Sequence, residues 1–257
     1  MNVLSVQNVS IQFGGLKAVQ DVSLEVAASE LIGLIGPNGA GKTTLFNIIT
    51  GVYKQTSGKV LMNGLSTEDL TPFEVTNKCK GARTFQNIRL FKDLSVLDNV
   101  MVSSHGQIRY NFLSILLRTK TYVENEAQIE KRALDLLKLF ELDKKANELA
   151  KNLPYGDQRK LEIVRALATN PKILFLDEPA AGMNDEETAK LLQLVRKVRD
   201  DFKIGILVIE HDMKFMMGLC ERIYVLDHGQ LIARGSPDEI KKNPEVIKAY
   251  LGEEEAA

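Results

Sequence analysis

Apolar and polar side chains alternate along Asn2–Phe13 and again along Val19–Val26, with Gly14 and Gly15 between, which is the period of two half-buried strands. Glu30–Ile35 is a short apolar run that ends in a glycine-rich loop, and from Gly41 onward Leu45, Ile48 and Ile49 recur at helical spacing until Gly51 stops them. Between about Thr84 and Thr169 the pattern is mostly helical, and Glu126–Leu142 sets Ile129, Ala133, Leu136, Leu137 and Phe140 on one face. Within that region Ser103–Val123 has weak periodicity, mixed aromatics and the basic residues Arg109, Arg118 and Lys120, and reads as a solvated or partner-facing insertion. After Pro171 strand and helix alternate again, as Ile173–Leu176, Asp185–Asp200 and Ile204–Ile209. Arg222–Asp227 and Gln230–Arg234 pair around His228-Gly229, and Asn243-Pro244 precedes a short helical tail. This alternation predicts an α/β fold with a mostly parallel core sheet flanked by helices.

Composition narrows the function classes. A chain of 257 residues that is 44% hydrophobic can bury a real core, as one domain or a core with a subdomain. Its 33 basic and 34 acidic residues leave a net charge of -1, so nucleic acid is not an expected partner, and membrane attachment is expected to come through protein contacts. The longest apolar runs, such as Ile204–Ile209, fall far short of the roughly 20 residues that span a bilayer. The alternation in Asn2–Phe13 does not fit a secretion signal, so a cytoplasmic location is expected. Cys79 and Cys220 lack metal-ligand spacing and read as reduced thiols.

The chemistry lies at the ends of the apolar runs. Gly36–Thr43 reads GPNGAGKT, a phosphate loop with a strand before it and a helix after it. Its glycines let backbone N–H groups curl toward phosphate oxygens at the positive end of the helix. Lys42 supplies a point charge to the outer phosphates, and the Thr43 hydroxyl is placed for Mg²⁺. Ile173–Glu178 reads ILFLDE, a buried strand closing on two carboxylates: Asp177 suits the magnesium shell and Glu178 can act as general base toward water. His211 follows Ile204–Ile209 at a strand end, where ligands gather in open α/β sheets. It can bond a γ-phosphate or orient water, although a lone histidine is more often structural. Gln86, within RTFQN, can reach Mg²⁺ and water or remain an exposed amide.

These pieces in this order resemble the ABC ATPase family over nearly the whole chain. The resemblance implies one P-loop ABC ATPase cassette over 1–257. An ATP-binding core with an antiparallel β subdomain would occupy about 1–84 and 170–236, a helical signature subdomain about 85–169, and a helical tail 237–257. It implies that ATP is held by Gly36, Pro37, Asn38, Gly39, Ala40, Gly41, Lys42, Thr43 and Thr44, and that Mg²⁺ is held by Thr43, Gln86 and Asp177. It makes Glu178, His211 and Gln86 the catalytic set. Phe13 corresponds to the family's adenine-stacking aromatic; core packing is the alternative from the residue alone. The family signature Leu-Ser-Gly-Gly-Gln corresponds to Leu153, Pro154, Tyr155, Gly156 and Asp157, of which Tyr155, Gly156 and Asp157 would meet nucleotide bound on an opposing subunit. Pro154 offers neither hydroxyl nor N–H, a loss of about 1.5 to 3 kcal/mol of charge-assisted bonding. Asp157 suits a helix start but repels phosphate. Asn184 replaces the aspartate that usually ends the D-loop.

Finer wording narrows the resemblance. FGGLKAV at Phe13–Val19, RTFQNIRLF at Arg83–Phe91, YGDQRKLEI at Tyr155–Ile163, DEPAAGMN at Asp177–Asn184, IEHDM at Ile209–Met213 and NPEVIKAYLG at Asn243–Gly252 are similar to the G-type ATPase subunit of bacterial branched-chain amino-acid importers. That resemblance implies a second related ATPase in a head-to-tail dimer, two permease subunits, a periplasmic amino-acid-binding protein, and a place on the cytoplasmic face of the inner membrane. It also implies that Gln86–Leu94 faces the permease. The ATPase of another ABC system, such as a lipid exporter, is the alternative, and a nucleotide-binding regulator that does not hydrolyse is a third class that Glu178 and His211 disfavour.

Overall fold

The computed structural model describes residues 2–106 and 115–254. The chain divides into two compact units, Met1–Arg83 with Lys172–Ala257, and Thr84–Pro171.

The first unit opens with the antiparallel pair β1 (Asn2–Phe13) and β2 (Leu16–Ala27), followed by β3 (Leu31–Ile35), α1 (Lys42–Ile49), β4 (Ser57–Met62), β5 (Leu65–Ser66), α2 (Pro72–Lys78) and β6 (Gly81–Arg83). After the helical unit it resumes with β7 (Ile173–Asp177), a helix Asp185–Phe202, β8 (Gly205–Ile209), a helix Met213–Leu219, and the antiparallel pair β9 (Arg222–Asp227) and β10 (Gln230–Gly235). Helices Pro237–Lys242 and Pro244–Glu254 follow. Two sheets form: a four-stranded antiparallel one ordered β2-β1-β4-β5, and a six-stranded one ordered β10-β9-β3-β8-β7-β6 that is parallel except at β9–β10. The expected mostly parallel core is present, and β3, β7 and β8 are buried at every position, as a sheet covered on both faces requires.

Apolar side chains of β1, β2 and β4, among them Leu4, Val9, Val22 and Val60, share one core with Leu45, Phe46, Ile48 and Ile49 of α1. Phe46 meets Phe175 of β7 edge to face at 5.6 Å. Leu34 pairs with Ile209, Ile209 with Asp177, and Ile35 with Val225, so β3, β7, β8 and β9 end at one level. Everything that follows those ends, the glycine loop, Glu178, Glu210-His211 and the turn at His228-Gly229, therefore leaves from one edge of the sheet.

The second unit packs α3 (Val96–His105), α4 (Lys120–Leu139) and α5 (Tyr155–Ala168), with short 3₁₀ turns at Asp143–Lys145 and Ala150–Asn152. Ile129, Ala133, Leu136, Leu137 and Phe140 are all buried, as their spacing predicts. The helix begins at Lys120 rather than Glu126 because Thr119 caps it, its hydroxyl accepting from the Tyr122 N–H. Of the expected insertion at 103–123, Ser103 to His105 close α3 and Lys120 to Val123 open α4, while 107–114, with Arg109, lie outside the described residues. Both cysteines are free and buried, and burial drives the Cys220 thiol up to about 12.

Candidate functional site

The glycine loop is shaped by two close backbone approaches. Gly36 leaves β3 at φ 151°, and a Cβ there would lie 2.0 Å from the Leu226 carbonyl oxygen. Gly41 sits at φ 99°, and a Cβ there would lie 2.5 Å from the Ala18 carbonyl oxygen. No side chain fits either position without moving the backbone. Gly41 is also the N-cap of α1 and makes no side-chain cap bond, so no cap side chain covers the leading N–H groups of the helix. Pro37 and Ala40 are buried, Asn38, Gly39 and Thr43 are exposed, and Thr44 is half-buried. Lys42 is buried, and its Nζ donates to the carbonyls of Gly36 (2.6 Å) and Pro37 (2.8 Å), which holds the ammonium inside the curl of the loop. The β9–β10 turn braces it from behind: the Gly229 N–H donates to the Ala40 carbonyl, and the Gly229 carbonyl accepts from the Gln20 N–H. This is a cradle of amides and one ammonium, the donor set for a chain of phosphates.

At the end of β7, Asp177 is buried and its Oδ2 accepts from Arg83 Nη2 at 2.7 Å. The next residue, Glu178, adopts φ 47°, a left-handed backbone that non-glycine residues rarely take and that clusters at functional sites. Its N–H donates to the Ile209 carbonyl, and its Oε1 lies 2.6 Å from Nε2 of His211. Sharing this edge is Glu210, buried, with Oε1 accepting from the Ala180 N–H and Oε2 from the His211 N–H. Burial raises its pKa; the amide bonds oppose that rise and the charge of Glu178 adds to it. The structure thus joins Glu178 to His211, and ties Asp177 to α1 through Arg83, whose Nη1 donates to Asn47 and Thr50. Among the described residues no cluster of three or more His, Cys, Asp or Glu could hold a metal by itself. One carboxylate and one hydroxyl beside a phosphate cradle fit Mg²⁺, which keeps waters and leans on phosphate oxygens.

Phe13 ends β1 with its ring 45% exposed and edge-on to Tyr53 at 5.4 Å. It is no core residue; the pair offers an apolar surface to solvent.

In the helical unit α5 begins at Tyr155, with Pro154 as an N-cap that makes no side-chain bond. Tyr155 is exposed and Gly156 is half-buried beside it. Asp157 is held by Lys145 Nζ at 2.6 Å and by Lys160 Nζ at 3.3 Å. Burial pushes its carboxyl upward, but the two ammoniums outweigh burial and leave its pKa lowered. Arg159, almost fully buried, donates to the carbonyls of Phe85 (2.9 Å) and Gln86, while Glu162 accepts from the Phe85 N–H at 3.2 Å. The signature helix therefore grips the backbone of the segment that carries Gln86, whose side chain is exposed. Arg89 lies over the Phe85 ring at 4.0 Å, and Arg165 over the exposed Phe91 ring at 4.9 Å while donating to the Arg89 carbonyl.

Sequence reasoning passed over Arg83, Glu210, Arg159 and Glu162. Each left one signal: a charged residue closing an apolar strand in the first two, and an i,i+3 charge pair on an otherwise apolar helix face in the others.

Comparison with known proteins agrees with this geometry. The profile of the family described as ABC transporter matches residues 19–181, and one described as branched-chain amino acid ATP-binding cassette transporter matches residues 230–256. The chain is 46% identical over 251 residues to the high-affinity branched-chain amino acid transport ATP-binding protein LivG of Escherichia coli strain K12, covering 98% of each. Among solved structures it is similar to an ATP-binding cassette of an ABC transporter in its ADP conformation, at TM-score 0.85 and 30% identity, covering 98% of this chain and 99% of the other. It is also similar to a dimeric cassette in a post-hydrolysis state bound to ADP and phosphate, at TM-score 0.75 and 30% identity, covering 91% of this chain and 98% of the other. No helix among the described residues is long and apolar enough to cross a membrane.

Proposed function

Since the chain belongs to the ABC transporter family of ATP-binding subunits, we propose that it is the ATPase that powers uptake of branched-chain amino acids (leucine, isoleucine and valine). The observation that carries the hydrolytic reading is the 2.6 Å contact of Glu178 with His211, on the sheet edge from which the glycine loop also leaves. The substrate rests on the likeness to LivG and on the branched-chain family match over residues 230–256, because a motor subunit need not touch its cargo.

In this reading the amides of Gly36, Pro37, Asn38, Gly39, Ala40 and Gly41, with Lys42, Thr43 and Thr44, grip the triphosphate, and Phe13 stacks on adenine. Thr43, Asp177 and Gln86 would hold Mg²⁺, which draws charge from the terminal phosphates. Glu178 accepts the proton of the attacking water, which adds to the γ-phosphorus as the bond to the β-phosphate oxygen breaks, giving ADP and phosphate. His211 holds the Glu178 carboxylate on its line of approach and presents its ring to the γ-phosphate. The likeness to a dimeric cassette supports a head-to-tail pairing with a second, related ATPase, in which Tyr155, Gly156 and Asp157 face nucleotide held by the partner. Two permease subunits, fed by a periplasmic binding protein, would anchor the pair at the cytoplasmic face of the inner membrane, with Gln86–Leu94 against the permease. Within this arrangement we take 1–257 as one cassette, 85–169 its helical subdomain and 237–257 its tail.

Two measurements test this. Purified chain with its companions should release phosphate from ATP, and a strain without the chain should lose binding-protein-dependent uptake of labelled leucine. Intact leucine uptake would remove the substrate, and absence of nucleotide affinity in the complex would remove the ATPase reading.

A further inference from the structure

We infer that Arg83 is a positioning residue of the nucleotide site: its guanidinium sets Asp177 against α1, and so sets the spacing between the two groups, Asp177 and Thr43, that would hold Mg²⁺. The inference rests on the reading of Asp177 and Thr43 as metal residues.

Arg83 closes β6, whose register places it beside Phe175 on β7, two positions before Asp177. Its two terminal nitrogens do different work. Nη2 donates to Asp177 Oδ2 at 2.7 Å, while Nη1 donates to Asn47 Oδ1 at 2.7 Å and to Thr50 Oγ1 at 3.1 Å. The guanidinium also lies over the ring of Phe46 at 5.4 Å, and Thr50 is fixed in turn by donating its hydroxyl to the Phe46 carbonyl. Asn47, Thr50 and Phe46 all belong to α1 or its C-cap, and α1 is the helix that opens with Lys42 and Thr43. One rigid fork therefore spans the metal-side carboxylate on one strand and the helix that carries the metal-side hydroxyl.

The pair is almost out of water, with side chains 8% and 6% exposed. A buried carboxylate stripped of its cation is strongly unfavourable, so a positive group here is a requirement of the fold; where that group is held is a choice the site makes. The planar two-armed shape matters as well as the charge, since a lysine ammonium can neutralise Asp177 without also fixing Asn47 and Thr50. A purely structural ion pair would do as well anywhere on the sheet. This one is fastened on one side to a candidate metal residue and on the other to the helix of the phosphate loop.

The test separates metal-dependent from metal-independent binding, using the full chain and a fluorescent, non-hydrolysable ATP analogue titrated with Mg²⁺ and again with chelator. Wild type should gain affinity when Mg²⁺ is present. Arg83→Met should cut that gain by about tenfold, the scale of one charge-assisted bond, while affinity in chelator stays close to wild type because the phosphate loop is intact. Arg83→Lys should recover part of the gain. Asn47→Ala, which keeps the ion pair but removes the shorter of its two hydrogen bonds to α1 and its C-cap, should also lower it, and this milder variant decides the matter if Arg83→Met does not fold. An unchanged Mg²⁺ gain in the folded variants, or equal losses with and without Mg²⁺, would overturn the inference. If wild type itself shows no Mg²⁺ gain, Asp177 and Thr43 are not metal residues and the inference falls with that reading.

Discussion

His211 Nε2 and Glu178 Oε1 meet at 2.6 Å across the ends of two neighbouring strands, β8 and β7. Glu178 reaches this contact from a left-handed backbone, φ 47°, that turns it away from the direction of Asp177. Adjacent carboxylates in the sequence are thereby sent to separate partners, Asp177 to Arg83 and Glu178 to His211. Glu178→Gln should lower phosphate release by about 10² or more, the usual contribution of a general base, while nucleotide affinity persists. His211→Ala leaves the base in place but removes the ring that meets it, and should cost turnover more than affinity. Steady-state phosphate release beside equilibrium nucleotide binding checks both, and undiminished turnover in Glu178→Gln would falsify the assignment.

The loop carries a sharper steric expectation. Gly36→Ala places a methyl 2.0 Å from the Leu226 carbonyl at a φ that L-residues rarely adopt. Either the loop or β9 must move, so the variant should lose nucleotide affinity and also melt earlier. Lys42→Ala should instead lose affinity with a smaller change in melting, because it removes a charge without a clash. Thermal unfolding and nucleotide titration of the two variants together distinguish the mechanisms, and a Gly36→Ala protein that binds like wild type would show that the approach to Leu226 is not fixed.

Periodicity made the sheet core and the strand-loop-helix order legible because β1, β3, β7 and β8 are governed by burial, which leaves a pattern in every residue. Less legible was α2, although Thr71, Pro72 and Glu74 spell a capping box with proline at the first turn, and all of those bonds form. The glycine loop and the carboxylates after β7 could be located in the sequence because their spacing is local. Arg83 could not be linked to Asp177 in that way, since 94 residues separate them and only the parallel pairing of β6 with β7 brings them together. Phe13 is ambiguous for a related reason: alternation assigns a face, whereas its ring is exposed at the β1–β2 hairpin end, beyond the last pairing of β1 with β4 at Ser10.

Glu210 gives the site a pH dependence that can be signed. Its folded pKa is raised above the ordinary 4.5, chiefly by burial, so the folded form holds the proton more tightly than the unfolded chain does. Stability from this group is then fully present below 4.5 and is lost as pH rises through the raised value. Glu210→Gln removes the dependence, so its stability relative to wild type should climb across that window. Denaturant midpoints measured between about pH 4 and pH 7 would test it, and parallel profiles would refute the coupling.

Phe91 is 48% exposed on the helical unit, with Arg165 above its ring and Arg89 tied through its carbonyl to Arg165. An exposed aromatic framed by cations is a suitable contact for another subunit. Substituting Phe91 and Arg89 by alanine should leave phosphate release by the isolated chain near wild type and abolish its coupling to transport in the assembled complex. Uptake and ATPase measured in the same vesicles decide this, and unchanged uptake would remove the permease assignment from Gln86–Leu94.

If α5 faces a partner's phosphate as proposed, Asp157 places a carboxylate in its first turn that must be offset. Lys145 and Lys160 supply the offset by holding that carboxylate at 2.6 Å and 3.3 Å, so its charge is met by two ammoniums. In the proposed head-to-tail pairing, without the serine hydroxyl or N–H that Pro154 lacks, the attraction left for a partner's nucleotide would come from the α5 N-terminus and these lysines. A Lys145→Met, Lys160→Met double variant uncovers the negative charge and should weaken ATP-dependent association with the second cassette by about tenfold, the size of one unit of differential charge interaction. Adding Asp157→Asn to that double variant should restore most of the loss, because the repelling group is gone. Sedimentation of the ATP-bound pair, held from turnover by Glu178→Gln, reads the effect directly. Should the double variant associate as well as wild type, the lysines serve only the fold of the helical unit, and the carboxylate of Asp157 does not face the partner's phosphate.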